Sequence, residues 1–239
     1  TIIANLEIMP KAILLWRAIL QWLGGIGIIV MAITLMPIMN VGGMQLMKVS
    51  SGDASEKILP KTKEITIRII IIYLVLTFLC AFFYKIFGME IFDSLTHSMT
   101  TIATGGFSNY NDSIGHFNNV KIEITSMLFI ILGSIPFIAY IKYLSGKKNI
   151  FYTDTQIRSF IKIIFFSILI LFLFLTLFSK SSSTITLRSV SFNVISILTG
   201  TGYVTTNFDN WGNFTLIYFL ILMFIGGCAG STTCGIKIF

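Results

Sequence analysis

Five stretches of this chain carry no charged side chain: Ala18 to Met47, Ile69 to Tyr84, Ile124 to Ile141, Ile163 to Ser179 and Asn210 to Ile236. A bilayer's hydrocarbon core is about 30 Å thick and takes about 20 apolar helical residues to cross, so each stretch supplies most or all of a span. The composition agrees. Of 239 residues, 55% are hydrophobic and only 11% charged, whereas a soluble domain carries about 25% charged residues and a disordered one needs low hydrophobicity. The expected class is an all-α polytopic membrane protein, with membrane lipid as its first partner.

Other classes fall on the same residues. Cys80, Cys228 and Cys234 show no C-x-x-C spacing, so neither a disulfide framework nor a zinc site is expected and packing is their role. The formal charge of +7 is spread between the spans, leaving no basic face on a soluble domain for nucleic acid. His97 and His116 have no matching Asp, Cys or Ser constellation, so no enzyme and no organic cofactor is expected; His97 reads as a packed residue and His116 as a solvated one. A proton-coupled carrier would show carboxylates inside its spans as proton relays, and the five stretches have none.

The basic residues orient the chain, because Lys and Arg are retained on the cytoplasmic side. One set of loop ends holds eleven of them, Lys48, Lys57, Lys61, Lys63, Arg68, Lys142, Lys147, Lys148, Arg158, Lys162 and Lys237, against four acids, a net +7. The other set holds six, Lys11, Arg17, Lys85, Lys121, Lys180 and Arg188, against six acids, a net of zero, and is expected to face out. Arg17, Arg68, Lys162 and Arg188 border spans and read as snorkelling anchors. This parity requires two further segments, Ile91 to Asn119 and Leu187 to Asn213, to enter the membrane and return. Each begins with a run compatible with a short helix, residues 92–100 and 187–197, and then breaks into Thr and Gly. Ten helical residues reach about 15 Å, half the core.

The organisation is therefore a repeat of span, re-entrant half-helix and span around a pore, as in potassium channels. Residues 1–47 are expected to end a first unit and 48–64 to form a cytoplasmic loop. A second unit covers 65–145, with its half-helix at 92–100 and a filter at 101–107. A third covers 146–239, with its half-helix at 187–197, a filter at 198–203 and an intramembrane loop at 226–235.

After the half-helices come Ile102-Ala103-Thr104-Gly105 and Thr199-Gly200-Thr201-Gly202, aligned here on their Thr-Gly pairs. Glycine permits the left-handed or extended backbone in which carbonyls turn toward an axis, and a half-helix aimed carbonyl-end first at the midplane adds partial negative charge. Backbone carbonyls that replace a hydration shell are the basis of potassium filters. The eight residues are therefore expected to hold the transported ion. A third cluster, Gly226-Gly227-Cys228-Ala229-Gly230-Ser231-Thr232-Thr233-Cys234-Gly235, interrupts the last span halfway, where each glycine costs about 1 kcal/mol relative to alanine in a helix. Gly226, Gly227, Gly230, Ser231 and Gly235 are read as a broken helix facing a pore, close helix packing being the alternative. Packing is the better reading for Gly24-Gly25-Ile26-Gly27 in the first span.

At these residues the sequence resembles the Trk/Ktr family of potassium transporters, most closely the bacterial TrkH-type membrane subunit. Gln21 to Val30, Val41 to Leu46, Thr101 to Ser108 with Asp112 to Gly115, and Gly226 to Ser231 with Gly235 to Lys237 carry the match. The resemblance implies potassium uptake across the bacterial cytoplasmic (inner) membrane through four units around one pore, potassium being the cargo. It implies that Gly105 and Gly202 are filter glycines and that Gly226 to Gly235 is a gating loop. Gly200 stands where the family often has a bulkier residue. The first filter would precede Thr1 and the fourth unit follow Phe239, so a piece of a longer protein is expected. A homodimer and a cytosolic nucleotide-binding regulatory ring subunit are the implied protein partners. The alternative function is an ion-coupled secondary carrier for another monovalent cation, by sodium or proton symport.

The charge asymmetry makes a testable statement about sidedness. In a cysteine-free background, Ser113→Cys should react with an impermeant thiol reagent added outside and Lys147→Cys should not; labelling of position 147 alone would invert the orientation.

Overall fold

The computed structural model describes residues 5–39, 58–178 and 186–238; Lys48, Lys57, Lys180 and the Val41 to Leu46 motif lie outside the described residues. Among the described residues nine α-helices follow one another: α1 (Lys11–Met39), α2 (Ile58–Ile86), α3 (Ile91–Ile102), α4 (Val120–Ser134), α5 (Phe137–Leu144), α6 (Ile150–Thr153), α7 (Thr155–Phe178), α8 (Leu187–Leu198) and α9 (Asn213–Phe224). Two short parallel strands, β1 (Ile225–Cys228) and β2 (Ile236–Ile238), end the described chain. The architecture is the expected all-α membrane type with this one addition. Among the described residues, Lys11–Met31, Lys63–Ile86 and Thr155–Leu177 are each long and apolar enough to cross a bilayer, and α4 with α5 makes a fourth span if the bent pair counts as one. Phe78 and Phe82 on α2, and Phe165 and Leu177 on α7, are exposed. That is the face such a helix turns to lipid tails rather than a defect of packing.

The two re-entrant helices, α3 and α8, have 12 residues each, about 18 Å at 1.5 Å per residue. Both run slightly past the expected bounds, so Thr101 and Ile102, expected in the filter, belong to the last turn of α3, and Leu198 belongs to α8. The buried faces of these helices are polar, with Thr96, His97, Thr100 and Thr101 on α3 and Asn193 and Ser196 on α8. Most of their hydroxyls return to carbonyls three or four residues back, as Thr101 Oγ1 does to His97 at 2.6 Å and Thr199 Oγ1 to Ile195 at 2.8 Å. That satisfies them without water. Part of the expected cytoplasmic loop 48–64 is helical too, since α2 already starts at Ile58.

The expected span over Ile124 to Ile141 is not straight. Between α4 and α5 the chain turns by 85°, and the cause is Pro136, which has no N–H and clashes with the preceding turn. Leu132 O, the acceptor Pro136 cannot serve, takes the Tyr140 hydroxyl at 2.7 Å. The next bond in an unbroken helix would join Phe137 N to Gly133 O. Instead Phe137 N donates to Gly230 O at 3.0 Å, and Gly133 O receives Thr232 N at 3.3 Å and lies 3.0 Å from Thr232 Oγ1. The loop between β1 and β2 is thus spliced into the broken helix of the preceding unit. The break in the other unit has the same form: α4 ends on Ile135 (φ −83°, ψ 147°) and α9 on Ile225 (φ −82°, ψ 131°), both extended, each donating its N–H three residues back.

Candidate functional site: two re-entrant segments and a loop beneath them

The two segments after α3 and α8 follow one backbone path. Ala103 and Thr199 close their helices in αR conformation. Thr104 (φ 47°) and Gly200 (φ 72°) then turn left-handed, as do Gly106 (φ 74°) and Gly202 (φ 82°). Gly106 N and Gly202 N donate back to Thr100 O and Ser196 O, at 3.4 and 3.2 Å. Thr100 Oγ1 donates to Phe107 O at 2.8 Å and Ser196 Oγ to Tyr203 O at 2.7 Å. These matches pair Gly106 with Gly202 and Gly105 with Thr201. The alignment on Thr104-Gly105 and Thr201-Gly202 is therefore displaced by one residue, because two glycines in a row left the register open. The Gly-Phe and Gly-Tyr dipeptides, each preceded six residues earlier by a hydroxyl residue, were the signal that could have set it.

The two segments meet. A Cβ on Gly106 would strike the Thr201 carbonyl oxygen, so this position needs glycine both for its positive φ and for the neighbouring strand. Gly202 faces open space, and both glycines line a cleft of about 660 Å³ together with Arg17, Asn111, Asp112 and Asp209. Gly105 lies away from that cleft, against the Gln21 side chain of α1, whose Oε1 accepts Phe107 N at 3.0 Å. Arg17 sits 4.6 Å over the Phe107 ring, a cation–π contact rather than a snorkelling anchor. Of the α1 glycines, Gly25 does serve packing, with Ala103 and Tyr73 against it, while Gly24 and Gly27 face open space.

Outward of the first segment, a buried polar cluster holds the chain to α3. The Asp93 carboxylate accepts Asn109 Nδ2 at 2.7 Å and the Tyr110 hydroxyl at 2.8 Å. Burial, then Asp93, pushes the Tyr110 phenol up to about 12, so it remains a donor at neutral pH. His97 is packed as expected: Nδ1 faces Asp93 O at 2.8 Å and must carry the proton, so Nε2 accepts Ser108 Oγ at 2.9 Å. His116 is exposed and stacks on Tyr110 with centroids 3.6 Å apart.

On the side of the segments away from that cluster lies the loop of Gly226 to Gly235. Gly230 (φ 76°) and Gly235 (φ 82°) make its turns, and Gly226 packs against Cys234 O. Ser231 Oγ donates to Cys228 O at 2.7 Å, and Gly227 N to Thr233 Oγ1 at 3.0 Å. Thr232 Oγ1 lies 3.0 Å from Ile102 O and receives Thr104 Oγ1 at 3.2 Å. Cys234 Sγ fills the space a Cβ on Gly200 would need, 2.9 Å away. The loop therefore touches both segments where they leave their helices. Cys80 and Cys228 are buried as packing residues, but Cys234 is exposed.

Arg188, expected as a snorkelling anchor, instead reaches across the units: its Nε lies 3.0 Å from Oε2 of Glu123 on α4. A cation at the first turn of α8 opposes the helix dipole, and the carboxylate offsets it. Arg68 pairs with Glu64 at 2.6 Å along α2.

A sequence profile of the TrkH family, described as a cation transport protein, matches residues 1–239. The chain is 39% identical over 243 residues to the Trk system potassium uptake protein TrkI of Halomonas elongata, covering all of this chain and 49% of that protein. It is 36% identical over 242 residues to TrkH of Escherichia coli K12, covering all of this chain and 50% of that protein. The crystal structure of the potassium transporter TrkH from Vibrio parahaemolyticus superposes with a TM-score of 0.85 at 35% identity, over 100% of this chain and 49% of that one. The chain thus spans about half the length of the curated relatives it matches. It belongs to the TrkH family of cation transport proteins, a family of transporters rather than enzymes, and is a multi-pass protein of the bacterial cytoplasmic membrane.

The Arg188–Glu123 pair can be weighed directly. Arg188→Gln leaves a carboxylate that is 7% exposed without its partner, and should lower stability in detergent by about 1–3 kcal/mol. Arg188→Gln with Glu123→Gln should recover part of that loss; additive losses in thermal melts would show that the pair is not coupled.

Proposed function

We propose that this chain supplies two of the filter-bearing units of a channel-like pore for potassium uptake, units at 65–145 and 146–239 preceded by the end of another at 1–47. The observation that carries the reading is the contact of Gly106 with the Thr201 carbonyl, which brings two left-handed glycine segments together in the lining of one cleft, beside Asp112, Asp209 and Arg17. Ala103 to Gly106 and Thr199 to Gly202 are the lining segments, their carbonyls taking the place of the ion's water. Potassium is cargo, and the named function of the relatives supports its choice over sodium. The filter depends on glycine. Gly106→Ser and Gly202→Ser in the whole protein should each lower potassium preference over sodium in proteoliposomes, with Gly106→Ser also reducing inserted protein because of its close neighbour. Unchanged preference in both would remove these segments from the ion path.

The loop of Gly226 to Gly235 is proposed as the gate. Its support is position: Thr232 beside Ile102 and Cys234 beside Gly200 put it where both segments leave their helices. Opening would be driven by a cytosolic nucleotide-binding ring subunit, and the whole protein would act as a homodimer, both as the family resemblance implies. Shortening the loop between Gly227 and Thr232 should raise potassium flux per inserted protein and weaken dependence on the partner. A well-folded variant no leakier than wild type would refute the gate.

A further inference from the structure

We propose that Tyr203 is a positioning residue that sets the spacing between the two filter segments through one hydroxyl bridge to Thr100, an inference that rests on the filter reading above. Tyr203 is fully buried. Its side chain leaves the second segment directly after Gly202 and crosses to the half-helix of the other unit, where Oη lies 2.5 Å from Thr100 Oγ1, 3.2 Å from His97 O and 3.3 Å from Thr101 Oγ1.

Thr100 has one hydroxyl proton and three carbonyls around it, Phe107 O at 2.8 Å, His97 O at 3.1 Å and Thr96 O at 3.3 Å. With Thr100 donating to Phe107 O, the nearest, Thr100 Oγ1 receives the Tyr203 proton. One hydroxyl thus joins the Gly202–Tyr203 strand to the carbonyl that ends the Gly105–Phe107 strand. The bridge is backed on its far side: Thr101 donates to His97 O, and Tyr84 Oη sits 2.9 Å from Thr101 Oγ1 and 2.8 Å from Ser126 Oγ, so α2 and α4 brace the turn of α3 that receives it.

On the cleft side this strand meets the first segment at the Thr201 carbonyl against Gly106, while nothing lies within 4 Å of a Cβ placed on Gly202. Above Tyr203, Val204 is tied to the first segment's outer loop, its N–H to Ser113 Oγ at 3.2 Å and its O to Gly115 N at 3.1 Å. Tyr203 supplies the corresponding tie at filter depth. Phe107, its counterpart, has no hydroxyl; its strand is tied by Gln21 Oε1 to the amide. Each segment is therefore held by the unit before it in the chain, and the second is held by a phenol.

The test measures the ratio of potassium to sodium flux in proteoliposomes containing the whole protein. Tyr203→Phe keeps the ring and removes only the bridge; it should lower the ratio by about fivefold, the worth of one ordinary hydrogen bond. Thr100→Val should lower it too, Thr100→Ser should preserve it, and Tyr203→Phe combined with Thr100→Val should cost less than the product of the singles. A purely structural role would reduce inserted protein and both fluxes alike without moving the ratio. An unchanged ratio in Tyr203→Phe, with Gly202→Ser still lowering it, overturns the strut and leaves the filter standing. An unchanged ratio in all of these variants overturns both. If Tyr203→Phe does not insert, Thr100→Val against Thr100→Ser decides: equal ratios overturn the strut.

Discussion

A backbone that leaves its helix at half the depth of a bilayer has no water to accept its hydrogen bonds, and every group it frees must be paired from within the protein. The rest of this structure depends on how that is done. Thr100 and Ser196 each reach seven residues forward to a carbonyl at the outer end of a glycine segment, and Gly106 and Gly202 each donate back to the carbonyl of that same hydroxyl residue. The half-helix and its segment thereby close on themselves. This is why the buried faces of α3 and α8 are crowded with Ser and Thr, which would otherwise be poor choices within a membrane protein.

Charge is managed with the same economy. Asp93 and Glu123 are buried carboxylates among the described residues, and neither is left bare: one is held by Asn109 and Tyr110, the other by Arg188 of the next unit. A carrier that moved protons through its interior would need such groups to change partners. Here their partners are structural: Asn109 and Tyr110 tie a loop to its helix, and Arg188 ties one unit to the next.

The charge-free runs, the parity of the basic loops and the Thr-Gly breaks read as spans, half-helices and a glycine loop because those features rest on local composition: a charge-free run, a short run broken by Thr and Gly, a run of Gly, Ala, Ser, Thr and Cys alone. Contacts between distant positions were not legible in that way. The register of Gly106 against Gly202 depends on hydrogen bonds six residues back, and a doubled glycine hides it. The 85° turn at Pro136 falls within an apolar run that reads as one span, since a proline is tolerated in such helices when neighbours supply the missing partners. Arg188 looked like an anchor because its partner, Glu123, lies 65 positions away in another unit.

The splice at Pro136 has an evolutionary corollary. Phe137 N and Gly133 O are partners in a continuous helix; here each is bonded to the loop that interrupts the following unit. Straightening the first helix would strip the loop of two supports, and removing the loop would leave the first helix with two orphans. Neither interruption can be lost alone at low cost, because each satisfies backbone groups that the other frees. Substitutions at one should be epistatic with substitutions at the other, although they stand about 100 residues apart in the chain.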